Sequence, residues 1–358
     1  MAPVVRALRA DRRFDVVVGA TAQHRGLLDL MLRDLSYAPD IDLDLMRPGQ
    51  TLSTFLPAAL RGLDRVLGKA KPDVVLAQGD TATVLAAALT AFDRKILFGH
   101  VEAGLRSFDK WAPFPEEKIR VMTDHVSDLL FAPTALANRN LLREGIDPAS
   151  IFVTGNTAVD AVLWAAARPH EFSEPALKRL PASARVAIVT LHRRESFGAP
   201  LESVLHGIAA AADRYPELLW VYPVHPNPNV LRVARRVLLH PRILLMPPLG
   251  YLDFVHLMKR AEFVVTDSGG IQEEAPSLGL PVLVMRAKTE RPEALAGGLT
   301  RVVGVSGKDL LVALARLPKS RRARPPRNPF GDGRAGERIA EALLYRFGRR
   351  GRRPNEKL

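Results

Sequence analysis

The chain contains no cysteine, so it can build no disulfide framework, no thiolate nucleophile and no zinc site on sulfur. It also lacks long apolar runs. Nothing approaches the roughly 18 uninterrupted apolar residues of a membrane-spanning helix, and the start has no charged-then-apolar signal pattern. Aromatic residues are scarce, 6% of 358, and none interleaves the arginine runs near the end as a base-stacking surface would require. These absences lead us to expect a cytoplasmic protein with no membrane and no specific nucleic-acid partner. What is present, 47% hydrophobic and 25% charged residues, describes a globular chain long enough for one large or two medium domains and excludes intrinsic disorder.

The formal net charge is +13, and its location decides what it means. Residues 316–358 hold fourteen Arg or Lys against four acids, a net +10 that leaves +3 for the first 315 residues. The body is nearly neutral. The runs Lys319 to Arg324 and Arg349 to Arg353 read as a solvated tail or an anion-binding tail.

Short β-rich apolar runs alternate with longer amphipathic stretches, the pattern of parallel sheets covered by helices on both faces. The runs Phe14–Val18, Asp73–Ala77, Ile96–Phe98, Leu129–Phe131 and Ile151–Val153 predict strands of an N-terminal Rossmann-like domain over 1–168. After a polar, proline-bearing stretch, Val186–Leu191, Leu219–Tyr222, Ile243–Leu245, Phe263–Thr266 and Val282–Met285 predict a second over 184–332. A final helix over 333–347 and a basic tail over 348–358 complete the expected layout. The fold class is α/β, two doubly wound domains facing a central cleft, where ligands of such sheets bind. The chain opens on a helix-like segment, Ala2–Ala10, whereas a doubly wound domain normally opens on a central strand. The expectation is therefore that the first strand is missing from this sequence, upstream of a start placed too late, and that two strand edges are left unpaired.

Several segments carry candidate chemistry. Val265-Thr-Asp-Ser-Gly-Gly-Ile-Gln-Glu-Glu reads as a strand end, a turn and a helix start. Gly269 and Gly270 let the backbone approach an anion, Ser268 adds a hydroxyl, and Glu274 is placed to accept from a ribose or sugar hydroxyl. A plain tight turn into a helix fits the same residues. Asp80 follows a strand and opens a helix, where it also reads as a cap. Glu102 lies just past another strand. Glu116 and Arg120, four apart, share a helix face, which a surface ion pair also explains. In the second half His192-Arg193-Arg194 and His225 end strands, and histidine beside arginines suits a diphosphate. Arg291, after a further strand, could hold a phosphate bidentately.

Together, the strings HVEAGLRS, PEEKIR, VTGNTAVDA, HRRESFG, TDSGGIQEEAPSLG and VLVMRAKTERPEA resemble the non-hydrolysing UDP-N-acetylglucosamine 2-epimerases, nearly to Leu344. The resemblance implies a fold shared with many nucleotide-sugar glycosyltransferases (GT-B-like), UDP held mainly by the second domain, a homodimer, and no metal or organic cofactor. It implies inversion at carbon 2 of UDP-N-acetylglucosamine by elimination of UDP to a glycal and re-addition, giving UDP-N-acetylmannosamine for cell-envelope polysaccharide synthesis. Asp80, Glu102 and Glu116 then match the carboxylates involved, with Arg120 orienting one of them and His192 assisting the departing diphosphate. Ser268, Gly269, Gly270, Glu274 and Arg291 match UDP-binding positions, and Phe254 a position near the uracil. Gln23, Glu117, Arg193 and His225 match a second-substrate, activating site, although Gly26 and Ala58 stand where a glutamine and an arginine are usual. Ile119 stands where asparagine is common. Other outcomes at the same residues are epimerisation of another UDP-2-acetamido sugar, hydrolysis to free sugar and UDP, or binding of a nucleotide sugar without catalysis.

Overall fold

The computed structural model describes residues 1–21, 31–47, 49–193, 196–317 and 327–349. Gln23, Gly26, Arg194 and most of the arginine-rich tail lie outside the described residues. The chain separates into two compact units, one of Met1–Ala161 with Phe330–Leu358 and one of Val162–Pro329. Both are Rossmann-like, with strands that all pair in parallel.

The first unit contains α1 (Ala2–Arg9), β1 (Gly19–Ala20), β2 (Ile41–Asp42), α2 (Leu52–Ala70), β3 (Val74–Gln78), α3 (Ala82–Asp93), β4 (Leu97–Val101), α4 (Glu116–Val126), β5 (Leu129–Ala132), α5 (Ala135–Arg143) and β6 (Ile151–Val153). The helix α6 (Thr157–Ala167) carries the chain across the boundary between the units. The strands form a four-stranded sheet, β3-β4-β5-β6, and a separate pair, β1-β2. Phe14–Val18 is thus not the strand its composition predicts. Among the described residues its end bonds towards the β2 side, where Asp40 and Ile41 donate their N–H groups to the Val18 carbonyl at 2.8 and 3.1 Å. Among the described residues no strand pairs with it on the other side, the run stays irregular, and regular pairing begins at Gly19. Among the described residues β1 pairs only with β2 and β3 only with β4, and all five residues of β3 are half-buried while β5 is wholly buried.

One face of this sheet is covered by α1 and the last helix of the described residues, α14 (Ala335–Arg346). Val4, Leu8, Ile339 and Leu343 meet Val101, Leu129, Phe131 and Phe152 there. Gly336 is needed for this approach, since a Cβ on it would fall 2.7 Å from the Pro3 carbonyl oxygen. Asp160 accepts the N–H groups of Ala335 and Gly336 at 3.1 and 2.8 Å, satisfying two orphan donors of the helix start. The opposite face packs the alanine-rich α3 through Val84, Ala87, Ala88 and Ala91 against Phe98 and Leu67.

The second unit runs α7 (Pro175–Lys178), β7 (Arg185–Thr190), α8 (Ala199–Arg214), β8 (Leu218–Pro223), α9 (Pro228–Val237), β9 (Ile243–Met246), α10 (Tyr251–Arg260), β10 (Ala261–Thr266), α11 (Gly269–Glu274), β11 (Val282–Val284), α12 (Glu293–Ala296), β12 (Thr300–Val302) and α13 (Gly307–Leu314). Its sheet order is β12-β11-β10-β7-β8-β9. Alternate residues of β7 serve the two covered faces: Ala187 and Val189 join Leu205, Ile208, Trp220 and Leu310, and Val186 and Ile188 join Val221, Val255, Leu257 and Val264. Two-sided burial explains why these strands are continuous apolar runs in the sequence. The winding reverses between β7 and β10, and the loops leaving their C-terminal ends border the crevice that such a reversal creates.

Candidate active site

In the first unit the candidate residues gather at the C-terminal ends of adjacent strands β3 and β4 and at the start of α4. Gly79, at a φ of +88°, turns the chain out of β3, a conformation glycine adopts without a Cβ penalty. Asp80 follows. It does not cap α3, whose N-cap is Thr81; its Oδ2 instead accepts a short bond from Arg120 Nη2. Arg120 is buried and also lies 3.6 Å from Glu117, so the alternative of a surface ion pair with Glu116 gives way to a pair with the half-buried Asp80. Glu116 is the first residue of α4 and half-buried.

Glu102, directly after β4, has a left-handed φ of +72°, which costs a non-glycine residue about 1–3 kcal/mol. Its carboxylate accepts from Gln78 Nε2 at 3.2 Å. Gln78 is a site neighbour that the sequence did not single out. Its Oε1 accepts from Thr157 Oγ1 at 3.2 Å.

Glu117 is buried, and both its oxygens accept backbone N–H groups, from Ser107 at 3.0 Å and Phe108 at 2.9 Å. It therefore anchors the loop between β4 and α4, which presents exposed Phe108, Trp111 and Phe114. Behind the site His100, Asp124 and Arg106 form a buried polar chain ending on Glu144.

In the second unit the candidates collect where the winding reverses. Asp267, fully buried after β10, accepts the backbone N–H groups of His192 and Arg193 at 3.0–3.1 Å. One carboxylate thus ties the loop after β7 to the Ser268-Gly269-Gly270 turn. The His192 ring stacks on His225, centroids 5.7 Å apart. Burial and the neighbouring His192 both push the His225 pKa down, favouring its neutral ring. Ser268 is the N-cap position of α11, and its hydroxyl makes no capping bond.

The arginines here are held by carboxylates. Glu290 accepts from Arg193 Nη2 at 2.7 Å, from Arg291 Nη1 at 2.8 Å, and from Arg286. The three guanidinium groups outweigh burial and hold the Glu290 carboxyl down at about 2. Arg291 Nε donates to Glu273 at 2.6 Å, and Thr289 bonds to Gln272 at 2.7 Å, fastening the loop after β11 to α11. The guanidinium of Arg291 lies over Gly269, where a Cβ would sit 2.7 Å from its Cζ. This close approach gives Gly269 a packing reason independent of turn geometry. Glu274 is pushed up to about 8, first by burial and then by Glu273, with a Tyr251 hydrogen bond opposing; it is mainly protonated near neutrality and can donate as well as accept. Phe254, on α10, is half-buried beside Val255 and Leu257.

The structure thus brings together Asp80 with Arg120 and Glu117 in one unit, and His192, Arg193 and His225 with the Ser268 turn and Arg291 in the other. Sequence reading missed Gln78, Asp267 and Glu290; of these, Asp267 carried a signal, since it is the acid immediately before the Ser-Gly-Gly turn. Among the described residues no three His, Asp or Glu side chains gather as metal ligands do, and no helix is long and apolar enough to cross a membrane.

Comparison with known proteins adds an independent line. The UDP-N-acetylglucosamine 2-epimerase from Escherichia coli K12 is 46% identical over 356 residues, covering 96% of this chain and 94% of that protein. The crystal structure of UDP-GlcNAc 2-epimerase from Neisseria meningitidis bound to UDP-GlcNAc superposes with a TM-score of 0.90 at 38% identity over 96% of each chain. The Methanocaldococcus jannaschii enzyme in complex with UDP-GlcNAc and UDP gives 0.82 at 37% identity, covering 96% of this chain and 95% of that one. The family model for UDP-N-acetylglucosamine 2-epimerase matches residues 6–344, taking in both units and every candidate residue named above. A match of that extent leaves one assignment: the chain belongs to the UDP-N-acetylglucosamine 2-epimerase family.

Proposed function

We propose that this protein interconverts UDP-N-acetylglucosamine and UDP-N-acetylmannosamine. The observation that carries the reading is the Neisseria meningitidis structure with UDP-GlcNAc bound, which matches this chain along 96% of its length. In the reaction a base removes the proton from carbon 2 while the bond between carbon 1 and the UDP oxygen breaks, leaving a glycal and UDP. The UDP oxygen then re-adds to carbon 1 as a proton reaches carbon 2 from the other face. Elimination calls for carboxylates that exchange protons and cations that stabilise the departing diphosphate.

We assign proton transfer to Asp80, Glu102 and Glu116. The pairing of Arg120 with Asp80 supports an orienting role for that arginine. His192, Ser268, Gly269, Gly270 and Arg291 receive the diphosphate, supported by the meeting of arginine and open backbone where the winding reverses. Glu274 takes the ribose and Phe254 the uracil. For a second-substrate, activating site the candidates are Gln23, which lies outside the described residues, Glu117, Arg193 and His225. The same reading takes the protein as a cytoplasmic homodimer that supplies a UDP-sugar for envelope polysaccharide.

The test is proton NMR of UDP-N-acetylglucosamine incubated with the protein in deuterium oxide. Appearance of the manno epimer with deuterium at carbon 2 is the expected result. Free N-acetylmannosamine in its place would establish hydrolysis, and binding of the UDP-sugar without exchange would establish a binding protein.

A further inference from the structure

His100, at the end region of β4, is wholly buried, and each of its ring nitrogens faces an oxygen. Nδ1 lies 2.6 Å from Asp124 Oδ1 and Nε2 lies 2.8 Å from the Gly79 carbonyl. A carbonyl oxygen only accepts, so Nε2 carries a hydrogen. The other carboxylate oxygen of Asp124 takes the N–H of Gly104 at 3.1 Å and lies 2.7 Å from Arg106 Nη2, an environment that keeps Asp124 ionised. Nδ1 must then carry a hydrogen too, and the ring is an imidazolium.

Charge bookkeeping agrees. His100 and Arg106 balance Asp124 and the part-exposed Glu144, with Arg106 meeting Glu144 at 2.6 Å and His125 Nε2 lying 3.6 Å from it; a neutral ring would leave Arg106 shared between two carboxylates. The groups facing the ring are Asp124 from α4, the Gly79 carbonyl from the turn after β3, and Arg106 and Glu102 from the chain after β4, with Glu144 beyond Arg106. Burial opposes the charged ring, and Asp124, Gly79 and Glu102 outweigh it, so its pKa stands above the ordinary histidine value.

The consequence lies at Gly79. Its N–H donates to the Val101 carbonyl at 3.1 Å and its carbonyl is taken by His100, so both polar groups of the turn are fastened to β4, and the next residue is Asp80. We propose that His100 is a positioning residue that, as a buried imidazolium, holds the Gly79 turn and so sets the carboxylate of Asp80 for proton transfer. The inference rests on the reading of Asp80 as a proton-transferring group.

The experiment measures kcat against pH, with UDP affinity by calorimetry, for the wild type, His100→Gln, Asp124→Asn and Asp80→Asn. His100→Gln offers Gly79 an amide donor but no charge. The expected result is a fall in kcat of about 10-fold or more with UDP affinity within about 2-fold, because the diphosphate groups are untouched. The alkaline limb of the wild-type profile is expected to disappear in His100→Gln and to move to lower pH in Asp124→Asn. Wild-type kcat and an unmoved limb in both variants would overturn the inference while Asp80→Asn is inactive. Full turnover in Asp80→Asn would instead overturn the reading of Asp80 on which it rests. Should the variants fold poorly, ring-nitrogen NMR of the wild type decides: one imidazolium is expected to lose its proton at a higher pH than a free histidine ring, and a spectrum in which every ring has titrated at or below the free histidine pKa of ~6.5 overturns it.

Discussion

Gly269→Ala separates the packing of the candidate phosphate site from the stability of the fold. An added Cβ would meet Arg291 at 2.7 Å from Cζ, 2.8 Å from Nη1 and 3.1 Å from Nε, inside normal contact. Something must move, and the backbone of α11, joined at its start to the buried end of β10, is the stiffer partner. The guanidinium therefore yields, stretching its bonds to Glu273 and Glu290. For the fold the losses are offset, since alanine is favoured over glycine in a helix by up to about 1 kcal/mol; the net change in stability is expected within about 1 kcal/mol. For the ligand they are not. Losing one charge-assisted contact from Arg291 is worth about 1.5–3 kcal/mol, roughly a 10- to 150-fold rise in Kd for UDP. Calorimetry on Gly269→Ala, Arg291→Ala and the double variant reads this as a cycle. If the methyl acts through the guanidinium, it adds little once the arginine is gone. An unchanged Kd in Gly269→Ala, or a full additional loss in the Arg291→Ala background, would refute the reasoning.

Three further outcomes are expected. Gly207→Ala puts a Cβ 2.5 Å from Gly307 Cα, backbone against backbone between α8 and α13, and should destabilise by about 1–3 kcal/mol or more in urea unfolding; a wild-type midpoint would mean the helices separate freely. Glu274 sits at about 8 when folded against an ordinary 4.5, so between those values the folded state keeps a proton that the unfolded state has released, and its contribution to stability falls as pH rises through that window. Glu274→Gln should therefore raise Tm relative to wild type more at pH 8 than at pH 5, and an equal difference at both would contradict the raised pKa. Glu102→Gly relieves the positive φ while removing the carboxylate; it should match or exceed Glu102→Gln in stability by about 0.5–1 kcal/mol with both variants inactive, and lower stability than Glu102→Gln would show that the backbone there is unstrained.

Nine of the ten strands expected from apolar runs form, within a residue or two for most and up to three at the end of β4, because two-sided burial leaves an unmistakable run such as Val186–Thr190. The exception, Phe14–Val18, is as apolar as the others. Strand formation needs hydrogen-bonded neighbours, and composition cannot report whether they exist. The two-residue β2 and the short β12, which includes an arginine, were missed because neither is long enough to show a period. At the candidate site the residue types after strand ends were legible, but their partners were not. Arg120 reads equally well as a mate for Glu116 one helical turn away; only the approach of α4 to the turn after β3 pairs it with Asp80.

By itself, the sequence determined the alternation of strands and helices, the Ser-Gly-Gly turn, the carboxylates after β3 and β4, and the family, since each is written in residues close along the chain. Tertiary structure decided the electrostatics. Glu290 gathers three arginines from two loops, Asp267 joins strand ends 75 residues apart, and His100 becomes a cation because Asp124 and Gly79 reach it from other elements. Charge state depends on distance and burial, and both are properties of the folded chain.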